Sequence, residues 1–156
     1  MIFETHELSD GTRVRLRLAR PTDIGRVQAF LEGSPEWIVR YFTYYDLHER
    51  LMLAAVTLAD GVEQIVGLGD VSFRGGGLAE VGVLVREDAR GQRLGTLLLE
   101  TAASLAAQRG VTRLKGERPM MPLLERLGRT VRTVEDGRAV AYTRLERSPR
   151  RRRSAA

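Results

Sequence analysis

Apolar and polar positions change period along the chain, and each change marks an element. Val14, Leu16 and Leu18 are separated by Arg15 and Arg17, the period-2 pattern of a strand with one buried face. The Asp10-Gly11 turn before it can join it to a short strand near Ile2. Arg20-Pro21-Thr22-Asp23 reads as a helix entry, with Pro21 near the first turn and Asp23 at the positive end of the helix dipole. Ile24, Val27 and Leu31 then mark one buried face, and Gly33 ends that helix. A second helix begins at Ser34-Pro35-Glu36, where Ser34 can cap and Pro35 suits the first helical position. Leu51 to Ala59 and Glu63 to Arg74 read as strands joined by the Asp60-Gly61 turn, and Gly75-Gly76-Gly77 leads onward.

The clearest pattern runs from Glu80 to Arg109. Val81, Val83 and Val85 are β-branched and alternate with Glu80, Gly82 and Leu84, as in a strand with two unequal faces. Arg86 to Ala89 breaks the run. Leu94, Leu97, Leu98, Ala102, Leu105 and Ala106 then recur at helical spacing until Gly110. Val111 to Leu114 reads as a strand and Pro122 to Leu127 as a short helix. Val131 to Val134 and Ala139 to Leu145 close as a hairpin around Glu135-Asp136-Gly137. The alternation implies a mixed α/β sheet, with residues 1–146 as one domain.

Composition narrows the chemistry. The chain has no cysteine, so it has no disulfide, thiolate nucleophile or zinc–thiolate site, and no metal is expected. No 18-residue apolar run is present, and MIFETHELSD lacks the character of a signal peptide, so a cytoplasmic protein away from membranes is expected. Arg147 and Arg150 to Arg153 match the whole net charge of +5, leaving residues 1–146 formally neutral. Residues 147–156 are therefore expected to form a disordered basic tail, and the charge does not argue for a specific nucleic-acid partner.

Between the valine strand and the long helix lies Arg90-Gly91-Gln92-Arg93-Leu94-Gly95-Thr96. The first N–H groups of a helix lack internal partners and carry partial positive charge, so an anion is favoured there. Gly91 and Gly95 would let a phosphate approach the backbone. A P-loop needs Gly-Lys-Ser/Thr, yet the sole lysine is Lys115, and G-x-G-x-x-G is absent. An ordinary strand–loop–helix connection with two turn glycines explains the same residues. Similarly, Trp37, Tyr41 and Tyr45 share one helical stripe, which core packing would explain. His48 reads as a surface histidine.

Arg90-x-x-x-x-Gly95 resembles the acetyl-CoA pyrophosphate loop of the GNAT acetyltransferase superfamily, Gln/Arg-x-x-Gly-x-Gly/Ala, with Arg93 at the middle glycine. The element order over most of residues 13–146 is similar to that fold. Ser34-Pro35-Glu36 with Arg40-Tyr41-Phe42 looks like a segment of bacterial protein lysine acetyltransferase domains. Asp10 to Val14 and Leu123 to Gly128 are also similar to theirs.

The resemblance implies a mostly antiparallel central sheet flanked by helices, with a splayed central strand pair. It implies acetyl-CoA as co-substrate, held by the backbone of Val83, Leu84 and Val85 and by the loop from Arg90 to Thr96. Trp37, Tyr41 and Tyr45 would border an acceptor pocket. A lysine amine is neutral in only about one molecule in 2,500 at pH 7, so a general base helps. The resemblance assigns that role to Glu80, with Asp70 as second candidate, and a backbone N–H, that of Val83, would meet the oxyanion. The implied reaction is acetyl transfer to a primary amine, a protein lysine or a small amine, by direct attack in a ternary complex. A homodimer is compatible with the family.

The chain departs from the family at Arg93, at Leu124 where many members carry a tyrosine, at Arg129, and in the short run Lys115 to Pro119. Two other readings stay open: a non-catalytic acyl-CoA-binding or interaction module, and a nucleic-acid binder using the arginine tail.

Overall fold

The structure, a computed structural model, describes residues 5–43, 49–59 and 61–146. Ile2, Tyr45, His48, Asp60 and the tail 147–156 lie outside the described residues, as does the side chain of Tyr41. Eight strands form one sheet: β1 (Thr5–Glu7), β2 (Arg13–Leu18), β3 (Arg50–Ala59), β4 (Val62–Gly75), β5 (Leu78–Val85), β6 (Arg113–Glu117), β7 (Thr130–Glu135) and β8 (Arg138–Arg144). Their spatial order is β1-β2-β3-β4-β5-β6-β8-β7. Every neighbouring pair is antiparallel except β5 and β6. The helices are α1 (Ile24–Phe30), α2 (Glu36–Thr43), α3 (Leu94–Gln108) and α4 (Met121–Leu127). The expected α/β class, a mostly antiparallel sheet flanked by helices, is the class observed. Among the described residues, no helix is long and apolar enough to cross a membrane.

The two faces of the sheet carry separate cores. On one face α3 buries Leu94, Leu98, Ala102 and Leu105 against Val66, Val71, Val81 and Leu114. On the other, Val27, Leu31 and Phe42 of the α1–α2 side meet Met52, Ala54, Ile65 and Leu68. Glycines set how closely α3 approaches. A Cβ on Gly67 would come 2.9 Å from Leu98 Cδ1, and one on Gly69 would come 3.4 Å from Leu98 Cβ. The seat under Leu98 is thus bare backbone, and a larger residue would force the helix outward.

Caps explain where elements stop. After α3, Gly110 takes φ +87°, its N–H donates to Ala107 O (3.1 Å), and Val111 N–H donates to Ala106 O (3.1 Å). This is a Schellman ending, and it commits Val111 to the cap. β6 therefore starts at Arg113, two residues later than the apolar run suggests, and extends to Glu117. The Asp136-Gly137 turn has both residues at positive φ, 50° and 76°, the two-residue hairpin geometry that asparagine- or aspartate-glycine pairs favour.

Two expectations about the early helices change. Ile24 is 47% exposed and does not share the buried face of Val27 and Leu31. Asp23 does more than face a helix dipole: it is fully buried. Arg17 grips it with two hydrogen bonds of 2.7 Å, and Arg20 N–H donates to it at 2.7 Å. Arg17 also bonds Glu63 at 3.0 Å, tying β2, the entry to α1 and β4 together.

The Arg17 guanidinium, with the Arg20 N–H, overcomes burial and holds the Asp23 carboxyl at about 2, below the ordinary 3.8. Its contribution to stability is therefore complete above pH 3.8 and is lost as pH falls toward 2. That shift corresponds to roughly 2 kcal/mol. Removing the charge also leaves Arg17 without its buried partner, so Asp23→Asn is expected to cost about 3 kcal/mol in urea unfolding at pH 7. The gap between wild type and variant should narrow as pH falls below 3.8.

Candidate active site

Register brings the candidate residues together. β5 pairs with β4 through Asp70↔Gly82 and Ser72↔Glu80, and with β6 through Leu78↔Arg113, Ala79↔Leu114 and Glu80↔Lys115. The β5–β6 ladder stops there, while β6 continues beside β8 through Gly116↔Ala141 and Glu117↔Val140. An open cavity of about 630 Å³ lies at this place, and Trp37, Glu80, Val83, Leu84, Lys115 and Glu135 are among its lining.

Alternation along β5 decides which groups point where. Arg113 N–H donates to Gly77 O (3.1 Å), so odd-numbered residues direct their backbone groups toward β6. Arg86 N–H donates to Val66 O (2.8 Å), so even-numbered residues turn theirs toward β4. Val83 and Val85 therefore present N–H and C=O on the side where β6 has departed. Leu84 presents its side chain to the α1–α2 core instead. The carbonyl of Val85 is engaged, accepting from Arg90 Nε at 3.2 Å.

The loop ahead of α3 has an unusual backbone. Gly91 has φ +76°, and Arg93, the N-cap of α3, sits in the left-handed region at φ +65°, ψ +14°. Arg93 thus keeps a conformation suited to glycine, at a cost of about 1–2 kcal/mol for a residue with a Cβ. No side chain caps α3, so its leading N–H groups face outward without a side-chain acceptor. The Gln92 side chain is tied to the β1–β2 turn: Asp10 N–H donates to Gln92 Oε1 (3.1 Å), and Gln92 Nε2 donates to Asp10 Oδ2 (3.3 Å). Gly95 faces the interior: a Cβ there would meet Leu123 at 3.7 Å and Val83 and Val85 at 3.8 Å. Gly95 therefore serves helix–strand packing, while Gly91 serves the turn.

Glu80 is the third residue of β5. It pairs with Arg74 at 2.7 Å and with Lys115 at 3.6 Å. Asp70 lies in the interior, 0% exposed, with Arg50 Nε donating to it at 2.9 Å. It is beneath Gly82, where a Cβ would come 2.8 Å from Asp70 Oδ1, and it does not line the cavity. Trp37 is 70% exposed, so it faces the cavity rather than the core.

Sequence reading missed Lys115, Glu135 and Tyr142. Lys115 Nζ is 2.7 Å from Glu135 Oε1 and 5.7 Å from the centre of the Tyr142 ring, and the Tyr142 hydroxyl donates to the other Glu135 oxygen. The hydrogen bond that Lys115 donates to Glu135 pushes its ammonium above its usual range, and the same bond, helped by Tyr142, lowers the Glu135 carboxyl. Nothing local links Glu80 to position 115, or either of them to Glu135 and Tyr142. Among the described residues, no group of three His, Cys, Asp or Glu is placed to hold a metal.

The sheet is mixed, and its one parallel ladder stops beside a glycine-containing loop and the uncapped start of α3. The acetyltransferase (GNAT) family pattern matches residues 23–129, and the chain belongs to that family. The GNAT domain of S. lividans PAT superposes with a TM-score of 0.73 at 24% identity, covering 92% of this chain and 97% of that one. A cAMP-binding acyltransferase from Mycobacterium smegmatis gives 0.65 at 17% identity, covering 97% of this chain and 52% of that one. A GNAT acetyltransferase from Staphylococcus aureus MU50 gives 0.65 at 10% identity, covering 85% and 99%. These likenesses show the fold. No curated protein sequence matches this chain.

The loop geometry sets two expectations. Arg93→Gly should relieve the left-handed strain, partly offset by unfolded-state entropy, and raise stability by about 0.5–1 kcal/mol. Gly95→Ala should be tolerated and should gain up to about 1 kcal/mol from helix propensity. Thermal melts of each variant check both, and a fall in stability for either would contradict the geometry.

Proposed function

We propose that residues 1–146 form one acetyltransferase unit, cytoplasmic, that moves an acetyl group from acetyl-CoA to a primary amine by direct attack in a ternary complex. The amine is a protein lysine or a small molecule. The observation that carries this reading is that the Glu80 carboxylate and the outward-facing backbone of Val83 border the same cavity. When bound, acetyl-CoA supplies an acetyl group already activated as a thioester.

The rest falls to the chain. The turn at Gly91 and Arg93 aims the leading N–H groups of α3 outward, where a pyrophosphate is favoured by hydrogen bonding and by the helix dipole. Arg90 and Arg93 add positive charge to the same loop, with Gln92 holding it against Asp10. The stop in the β5–β6 ladder supports reading this pair as the splayed one, which leaves the Val83 backbone open to an extended amide chain. The Val83 N–H takes the oxyanion role, and Glu80 accepts the proton that the amine must lose. Asp70 receives no role, because it is enclosed beside Arg50. Trp37 shapes the acceptor's entry, and the roles of Tyr41 and Tyr45 rest on the family alone.

One observation favours binding without turnover. Arg74 and Lys115 both hold Glu80, so its carboxylate must loosen one contact before it accepts a proton.

Glu80→Gln separates the two readings. We expect it to bind acetyl-CoA as wild type does and to lose about 10²-fold or more in amine-dependent CoA release. Calorimetry and a free-thiol assay measure the two properties. Unchanged turnover would move the base elsewhere.

A further inference from the structure

The cavity already contains an ammonium group. Of the 25 lysine and arginine residues, Lys115 is the one lysine. Its Nζ stands between two carboxylates, 2.7 Å from Glu135 Oε1 and 3.6 Å from Glu80 Oε1, and lies over the Tyr142 ring at 5.7 Å. Two carboxylates and an aromatic face are the groups that recognise an alkylammonium: charge-assisted hydrogen bonds on one side and a cation–π contact on another. β5, β6, β7 and β8 each contribute one of the four side chains. Arg74 approaches Glu80 at its other oxygen, Oε2, and leaves the Oε1 side to Lys115. A compact ammonium fits this place, and a planar guanidinium does not reproduce it.

We propose that Glu80, Glu135 and the Tyr142 ring form an alkylammonium subsite of the acceptor cavity, and that Lys115 fills it from within. The proposal rests on reading this cavity as the acceptor site. The unequal distances give it a direction. Glu135 holds Lys115 firmly, while Glu80 is the looser contact. An incoming amine takes the place beside Glu80 while Lys115 stays with Glu135. Lys115 thereby sets which amines enter: they must compete with a tethered ammonium.

Lys115→Ala removes the side chain beyond Cβ, and the missing piece is n-propylammonium. The variant is expected to melt about 2–4 °C lower than wild type, the size of shift that a lost half-exposed ion-pair cluster gives. n-Propylammonium chloride should restore the midpoint with a saturable concentration dependence. n-Propanol and sodium chloride should not, wild type should respond only at much higher amine concentration because its own ammonium competes, and adding Glu135→Gln should abolish the rescue.

Absence of saturable rescue, or an equal response in wild type, would overturn the subsite. Should Lys115→Ala fail to fold, Lys115→Met keeps the stem and lacks the ammonium. It should bind methylammonium saturably by calorimetry, and no binding would overturn the proposal. Acetyl-CoA is added last. Rescue with acetylation of the propylamine supports subsite and reaction together. Rescue without acetylation upholds the subsite and counts against the transfer reading, and failed rescue removes the subsite whatever the turnover.

Discussion

Where β5 stops pairing with β6 determines what the rest of the site can do. Three residue pairs join the two strands, and the last is Glu80↔Lys115. Beyond it β6 follows β8. The cause lies on the far side of β6. Gly116 has no side chain, and Met120 and Leu124 occupy the space: a Cβ there would come 2.8 Å from Met120 Cβ and 2.7 Å from Leu124 Cδ1. The chain then turns at Pro119, which has no N–H to offer a neighbouring strand. Past Glu80↔Lys115 no register joins β5 to β6, while β6 runs on beside β8. Buried backbone groups need partners. A strand edge left open beside a cavity has backbone donors and acceptors to offer there.

α3 supplies the second half of the arrangement, and its position follows from bare backbone in β4. Gly67 and Gly69 let Leu98 rest on the sheet. Gly95, one turn earlier, faces Val83 and Val85 at ordinary contact distance. The N-terminus of α3 is thus fixed relative to the strand whose edge is open. Arg93 shows how strongly that position constrains the chain. A residue with a Cβ accepts the left-handed conformation because the turn into α3 requires it, and the fold sustains the strain at an exposed position rather than in the core. Its charge also lies where an anion is favoured, so a local cost in stability and a gain in electrostatics arise from one substitution within the family pattern.

Much of this was legible in the sequence because it is local. The valine alternation, the leucine spacing of α3, the Gly110 stop and the Asp136-Gly137 hairpin each depend on neighbours within one or two turns. The element order was enough to suggest the family fold. Apart from the late start of β6 and the exposed Ile24, the misses are matters of register or of distance along the chain. Asp10 meets Gln92 across 82 positions. Asp23 looks like any acidic residue in a first helical turn until Arg17 on β2 is seen to bury it. Asp70 reads as a polar residue in a strand, and only the register opposite Gly82 shows that it is enclosed. Trp37 belongs to an aromatic stripe that hydrophobicity alone assigns to the core, yet the end of β5–β6 pairing opens a cavity beside it.

Lys115 is the residue for which this distinction matters most. In the sequence it excludes a P-loop and otherwise reads as one more cation among many. Parallel pairing across an intervening helix places it opposite Glu80, and the β7–β8 hairpin brings Glu135 and Tyr142 to its other side. The resulting charges are paired within the protein: Glu80 with Arg74 and Lys115, Glu135 with Lys115, and Glu117 with Arg138. Such a cavity does not attract cations merely by being acidic. It discriminates by exchange, because an amine gains entry only where its contacts exceed those of the ammonium it displaces. An arginine at the same position would spread its charge over a plane, would not reproduce the compact ammonium between the two carboxylates, and so would not set up the same exchange.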